Sequence, residues 1–598
     1  MKSQMLFLQQ LVQELGEWCH VSTIRDWKTI ADRVEDEGQS YITIVLPKFG
    51  SDLQRALDQS FVAHDQFAGF RRKGGLPRFL GGFLELIFDA KSGVLLEEPN
   101  LDAVFAVRQI TMAFGKIALE CSDARKKAAV DQFFQCETDL REAESKFTPT
   151  MLDEFSRVSS LLWAELFSNV DLSIYRDELL PKHGPGNTAD KLVGNQKFNQ
   201  REWTRRLDKV FPHWDYLVPN YNFYDELADV VIREPGEELP VKVTLVPKTP
   251  KTPRIIAQEP TCMQYMQQGI RELLYEGVEE LDIPRTLIGF YDQTPNQRLA
   301  HEGSLYGSLA TLDLSEASDR VSNQLVRRML ARHPHLFEAV DATRSRVAGV
   351  LDRGEIRLAK FASMGSALCF PMEALVFTTI VFLGIQKGLK TPLTKKAIKS
   401  FLGRVRVYGD DIVVPVDYAE LVVSELEAYG LKVNASKSYW TGKFRESCGK
   451  DYYNGRDITP ARVRNNFPTQ RKDAEELAST VSLRNQLYEL GLWKTAALLD
   501  DMIKRIIPFP RVAKSSPILG RFSFLGYETQ STDPFLQAPL VKGAFLVAKP
   551  PVNELDGSGA LLKSFLKRGD LPVADRDHLK RSGRPNSVDI KVGRRSPF

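Results

Sequence analysis

Three aspartates in two short segments, Asp313 and the adjacent pair Asp410 and Asp411, are the side chains best suited to chemistry in this chain of 598 residues. The pair lies in residues 404–416, where alternating β-branched residues flank Tyr408-Gly409-Asp410-Asp411, a pattern that predicts a β-hairpin with two carboxylates at its tip. Neighbouring carboxylates raise each other's pKa and repel unless a cation lies between them or water screens them. A bound divalent ion is one compensation; an Asp-Asp turn open to solvent is the other, and four residues alone do not decide between them. Some 97 residues earlier an alternating apolar run ends at Asp313, and Ser315, Glu316, Ala317 and Ser318 read as the start of a helix. An acid at a strand end can face a cleft, or simply cap the helix that follows. Oxygen ligands of this kind suit magnesium, and three such acids could hold two ions, one activating a hydroxyl and the other stabilising a departing pyrophosphate.

The surrounding segments must position these acids. Residues 240–261 predict two strands joined by a proline-stiffened loop, with Lys248, Lys251 and Arg254 spaced three apart. Such cations suit a triphosphate or a nucleic-acid backbone, or they protect a solvated sheet edge. Residues 361–373 place Ser363, Gly365 and Ser366 before a mostly apolar stretch, small residues that let backbone approach a sugar or base ahead of a helix packed beneath the hairpin. An ordinary glycine turn before a core helix has the same letters. Up to about residue 235 the chain reads as mainly helical, with segments such as 101–134 and 152–169 at helical spacing. Within it, residues 181–187 carry two glycines, two prolines, Lys182 and His183, a loop able to meet phosphate or a plain surface turn.

Bulk properties bound the rest. A chain this long exceeds a single core, and 43% hydrophobic with 26% charged residues excludes a wholly disordered or fibrous protein. Net charge is only +3, so any electrostatic footprint is local. Residues 563–598 hold ten Lys or Arg against four Asp, which reads as a basic, flexible tail. The six cysteines are scattered without metal-ligand spacing, as free thiols in a reducing cytoplasm would be. No signal peptide is evident, and the most apolar stretch, 367–385, is interrupted by Pro371 and Glu373, so a buried helix is expected there.

Taken in order, the basic segment, Asp313, the Ser363 to Gly365 loop and the Tyr-Gly-Asp-Asp hairpin resemble the viral RNA-dependent RNA polymerases shaped like a right hand. Residues 292–304, 313–319 and 444–455 narrow the likeness to the replicase catalytic (beta) subunit of the single-stranded RNA bacteriophages, the levivirus group. The resemblance covers roughly residues 240–460. It implies an α+β right hand: an N-terminal helical region at 1–100, fingers at 101–300 with the basic motif at 241–257, a palm with an antiparallel sheet at 301–455, a thumb at 456–560 and the tail at 561–598. It further implies that Asp313 and Asp410, with the Leu314 carbonyl and Asp411, hold two Mg2+ ions, with Mn2+ able to substitute, and that Lys248, Lys251 and Arg254 bind the incoming triphosphate. Lys437 falls where such enzymes place a lysine that protonates pyrophosphate, with Lys432 its rival. Tyr408 either supports the hairpin and primer terminus or only packs.

One departure concerns the sugar. Related polymerases of animal viruses sense the ribose 2′ hydroxyl with an Asp and an Asn at places that here hold Ser318 and Glu373, so Asp319, one residue on, is a candidate to take over the contact. The resemblance also implies an RNA template and product, ribonucleoside triphosphates, host elongation factors Tu and Ts, a ribosomal small-subunit protein and an RNA chaperone for some templates, no membrane, and the cytoplasm of a bacterial host. A reverse transcriptase would share the hairpin but excludes the 2′ hydroxyl with a bulky residue near Ser318. A non-catalytic RNA-binding relic would not need all three aspartates, and a magnesium-dependent nuclease would not need the glycine loop.

Overall fold

A computed structural model describes residues 1–549, 553–567, 585 and 587–598. It is an α+β arrangement in which helices surround several small, mostly antiparallel sheets. The largest core gathers around the helix Cys369–Leu389, of which sixteen residues are buried. A helix that is apolar all round must be covered on every face, and the helices Pro149–Tyr175 and Ala419–Ala428 pack along it. Its two polar residues at the centre are satisfied locally: Thr378 and Thr379 donate to the carbonyls one turn back, and Thr379 accepts the Trp163 indole N–H at 2.9 Å. Gly384 lets the crossing helix come close, since a Cβ there would lie 2.7 Å from the Val422 Cα. This is the helix expected at 367–385, and among the described residues it alone is long and apolar enough to cross a membrane; 89% of its most apolar window is buried inside the molecule.

On this core lies a three-stranded antiparallel sheet ordered Arg406–Tyr408, Asp411–Pro415, Leu309–Asp313. A second sheet joins Arg254–Gln258, Val241–Val246, Val347–Val350 and Gly354–Arg357, with the middle pair parallel and the outer pairs antiparallel. The two strands predicted in 240–261 are therefore present as a hairpin. A separate core binds the N-terminal helices Lys2–Trp18, Leu46–Gln59 and Leu101–Met112 to Phe444, Tyr453, Leu487 and Leu499, so residues 1–112 and 439–499 share one interior.

Three local expectations change. The periodic stretch 101–134 is two helices, Leu101–Met112 and Asp123–Ser145, because the chain turns through 113–122 with Ile117 buried between them. The helix expected from Ser315 is replaced by a single turn, Ala317–Arg320, after Glu316 adopts a left-handed φ of +48°; the α-helix begins at Asn323, capped by Ser322. The basic tail is not a loose arm where it is described: Ser587–Arg595 pairs along its whole length with Pro539–Lys549, and Gly557–Leu566 is helical, while residues 568–584 and 586 lie outside the described residues.

Candidate active site

The acidic hairpin turns through Gly409 and Asp410. Gly409 has φ +58°, and a Cβ there would sit 2.6 Å from the Phe370 ring, so both backbone and space demand glycine. Tyr408 packs edge-on against Phe370 and donates its hydroxyl to the Phe290 carbonyl at 3.2 Å, which makes it a strut of the hairpin. Across the sheet the register pairs Asp411 directly with Asp313. Facing residues of an antiparallel pair point to the same side, and like charges there destabilise the sheet.

That destabilisation registers in the titration of both acids. Burial, Asp410 and Asp313 push Asp411 up to about 6. Asp313 is also raised, by burial and by Asp410, against the pull of Lys437 and Asn434. The Lys437 ammonium lies 3.2 Å from Asp313 Oδ1, and Asn434 Nδ2 donates to Oδ2 at 2.9 Å. Desolvation works against the Lys437 charge, but Asp313 and Glu446 outweigh it, and the ammonium is held above its usual range. One half-exposed lysine is thus the ion-pair partner of Asp313, and among the described residues Asp410 and Asp411 have none. Among the described residues no three His, Cys, Asp or Glu side chains are grouped closely enough to hold a metal ion as oriented. The donor set nonetheless fits a hard divalent cation: oxygen ligands only, an excess of negative charge, and an ammonium standing where positive charge is needed.

The basic hairpin faces the same place. Lys248 is lowered by burial and by its neighbours Arg254 and Lys437, while Asp410 and Asp313 pull it the other way. Those five charges therefore share one field. Lys251 stands exposed in the loop, which is braced from behind by Arg125 donating to the Pro250 carbonyl at 2.7 Å and the Cys121 thiol donating to Thr249. The glycine loop is locked onto this hairpin: Ala257 N–H donates to the Met364 carbonyl at 2.8 Å, and a Cβ on Gly365, at φ +135°, would fall 1.9 Å from the Ala257 oxygen. Ser363 is buried with its hydroxyl unpartnered.

Between the glycine-loop helix and the Asp313 turn, Ser318 Oγ donates to Glu373 Oε2 at 2.7 Å. Burial pushes the Glu373 carboxyl to about 8, opposed by the Ser318 hydrogen bond and reinforced by Asp410 and Asp319. Asp319 itself is engaged elsewhere, 2.9 Å from the fully buried Lys360 ammonium, which also meets Glu137 at 3.5 Å.

With this geometry in hand, residues 238–497 match the family described as RNA replicase, beta-chain. That stretch is similar to the RNA replicase beta-chain family. Similar curated proteins include the RNA-directed RNA polymerase beta chain of Enterobacteria phage fr, 31% identical over 303 residues, 51% of this chain and 50% of the relative. The beta chain of Escherichia phage MS2 is 34% identical over 253 residues, 42% and 41% of the two chains, and the beta subunit of Escherichia virus Qbeta is 33% identical over 264 residues, 43% and 40%. The chain thus spans about half, or less, of the length of the relatives it matches. Among solved structures, the RNA-dependent RNA polymerase of a human picobirnavirus aligns at 16% identity over 44% of this chain and 55% of that one, TM-score 0.33. That of BmCPV at its elongation state aligns at 13% over 59% and 34%, TM-score 0.36.

The residues singled out for metal, triphosphate and proton-transfer roles all lie within residues 238–497. The structure brings Asp313, Asp410, Asp411, Lys437, Lys248 and Arg254 into one field, with Ser318 and Glu373 paired at its edge. It separates Lys251, which stays outward, and Asp319, which is spent on Lys360. Lys432 contributes only its backbone, its carbonyl accepting from Ser315 N–H at 2.8 Å. Outside the segment, the 181–187 loop is pinned rather than open: Lys197 donates to the Gly184 and Gly186 carbonyls, and His183 is stacked on Tyr265 with burial holding its imidazole neutral. Sequence reading missed Asn434 and Ser438, which hold the Asp313 carboxylate and N–H, and Ser447, 3.4 Å from Asp411 Oδ1. The short polar run 434–438 around Lys437 was the available signal.

Proposed function

We propose that this chain is the catalytic subunit of an RNA-dependent RNA polymerase, adding ribonucleotides from their triphosphates to the 3′ end of a growing strand on an RNA template. The observation that carries the reading is the cross-strand pairing of Asp313 with Asp411 beside Asp410, under-neutralised and faced by Lys248 and Arg254. The family of residues 238–497 supports it independently. Asp313, Asp410, Asp411 and the Leu314 carbonyl would hold two Mg2+ ions, or Mn2+ in their place, which when bound supply an activated 3′ hydroxyl and a stabilised pyrophosphate.

The protein's own groups do the rest. Lys248 and Arg254, with Lys251 at the loop's outer edge, orient the triphosphate. Lys437 is the proton donor to the departing pyrophosphate, favoured over Lys432 by its contact with Asp313. Ser318 and Glu373, with Ser363 and Gly365 alongside, form the surface that meets the sugar; Asp319 serves by holding Lys360 rather than by touching ribose. We further propose the right-hand layout of fingers 101–300, palm 301–455 and thumb 456–560, action in the cytoplasm of a bacterial host, and cooperation with elongation factors Tu and Ts, a ribosomal small-subunit protein and an RNA chaperone.

The deciding experiment supplies the protein with an RNA template, labelled ribonucleotides and Mg2+, with and without host extract. Template-dependent incorporation of ribonucleotides is expected. Robust use of deoxyribonucleotides, or no synthesis under either condition, overturns the reading.

A further inference from the structure

The N-terminal region, outside the replicase-family segment, contains a cleft of about 790 Å³ that the catalytic reading does not use. One wall is the helix Ile24–Glu37, on which Arg25, Thr29 and Arg33 stand four apart and so share a face. The opposite wall is the short hairpin of Arg72–Lys73 and Leu76–Pro77, which brings Arg71, Lys73 and Arg78 to the same opening. The cleft thus has five cations on two walls. Its carboxylates are fewer and one is already committed: Asp26 is buried and accepts the Leu80 N–H at 2.6 Å, leaving Glu85 at the rim.

The cations are available. Among the described residues Arg25, Arg71, Lys73 and Arg78 make no ion pair, while Arg33 is held by Glu37 at 2.5 Å and lies over the Phe70 ring. The hairpin itself is fixed from beneath, because Arg72 points away from the cleft's chemistry and donates to the carbonyls of Gly75, Ala63 and Gln66. Phe70, half-buried at the mouth, stacks on Phe79 at 5.1 Å and 22°, with Phe49 edge-on to it and Arg33 over its ring, and so braces the wall that carries the cations. Guanidinium groups free of ion pairs on two walls of one cleft are what the phosphates of a nucleic-acid strand recognise, and a cleft lined from both sides takes a single strand more readily than a duplex. A volume of this size admits a nucleotide unit.

We propose that this cleft is a second binding site for single-stranded RNA, gripping the strand away from the place of synthesis. The choice of RNA rests on the polymerase reading above; the anion-binding chemistry does not. The test measures binding of a labelled single-stranded RNA oligonucleotide to the full chain by fluorescence anisotropy across salt concentrations, in EDTA and in a D410N background so that no synthesis intervenes. Wild-type extension of a short primed template is run alongside, so that loss of extension with RNA binding retained counts against the catalytic reading alone.

R71Q/K73Q/R78Q, three exposed positions, is expected to weaken binding at least tenfold and to reduce the slope of log K against log salt by about 2, at roughly 0.7 per lost contact on a single strand. On the unmutated protein, 4-thiouridine in the oligonucleotide is expected to crosslink within residues 70–79. Unchanged affinity and slope, or crosslinks confined to residues 240–460, overturns the proposal. So does displacement of nothing by RNA while polyglutamate binds the cleft, which would make it a surface for an acidic protein.

Discussion

Two charged sites in this molecule are built in opposite ways. Arg108 and Asp451 are both buried and meet at 2.5 Å, Arg108 also donating to the Ile458 carbonyl and lying over the Phe444 ring, and Arg462 stands 3.9 Å from the same carboxylate; the anion is fully answered at the joint between the helix Leu101–Met112 and the strand Lys450–Tyr453. Asp313 and Asp411 instead place like charges opposite each other, beside a third carboxylate, with one half-exposed lysine in direct ion-pair contact and Lys248 and Arg254 only in the shared field. The first site is closed and needs nothing more. The second is left short of positive charge at a place open to solvent, an arrangement that a cation or a polyphosphate-bound ion would complete. Charge imbalance, rather than charge itself, separates the acids proposed to be catalytic from the structural ones.

The sharpest way to break that contrast is D410N. Nucleotide incorporation should fall by a factor on the order of 10^3 or more, while the thermal midpoint stays near that of the parent, since the turn keeps its shape and loses only a charge. A variant that retains activity would show that the imbalance has no catalytic use. The reciprocal change, R108A, should do the opposite: a loss of about 3–5 kcal/mol in denaturant unfolding, because Asp451 is left buried with only Arg462 at 3.9 Å, and little change in activity per folded molecule. If R108A unfolds no more easily than the parent, the joint is not held by that pair.

K437Q is the next smaller step. Removing the ion-pair partner of Asp313 should reduce incorporation roughly 10- to 100-fold, the range of a positioned proton donor, and flatten the alkaline side of the pH profile. K432Q should leave both within twofold of the parent on the same scale. Equal effects of the two substitutions would erase the distinction that the 3.2 Å contact with Asp313 draws between them.

The legibility of these features in the sequence follows from how local their causes are. The acidic hairpin could be read because alternating residues and a glycine at the turn fix strand, register and side-chain direction within a dozen positions. The basic hairpin and the buried Cys369–Leu389 helix were legible for the same reason. What could not be read is what tertiary contacts decide. Glu316 takes a left-handed turn and postpones the expected helix, and Asp319 is drawn to Lys360, a residue 41 positions away. Asn434 holds Asp313 from 121 positions away. The tail 563–598 reads as solvated from composition, yet Ser587–Arg595 finds a partner strand in Pro539–Lys549, and no local pattern announces that pairing.

Glu373 tests the contrast at its mildest, as a buried acid that has neither a cation nor an opposite charge beside it. Its folded-state pKa of about 8 lies above the ordinary 4.5, so the carboxyl is a neutral hydrogen-bonding group at neutral pH, while the unfolded chain is free to ionise it. A raised folded pKa means that the folded state holds the extra proton. The wild-type fold should therefore lose stability as pH climbs from about 4.5 to 8, by up to about 1.4 kcal/mol per unit, and level off above that range. E373Q keeps the shape and a hydrogen-bond partner for Ser318 but has no proton to lose. Its urea midpoint should match the parent near pH 5, exceed it at pH 7 and exceed it further at pH 9. Parallel curves for the two proteins would mean that Glu373 is ionised and compensated after all, which would place it with Arg108 and Asp451 rather than with the acids of the hairpin.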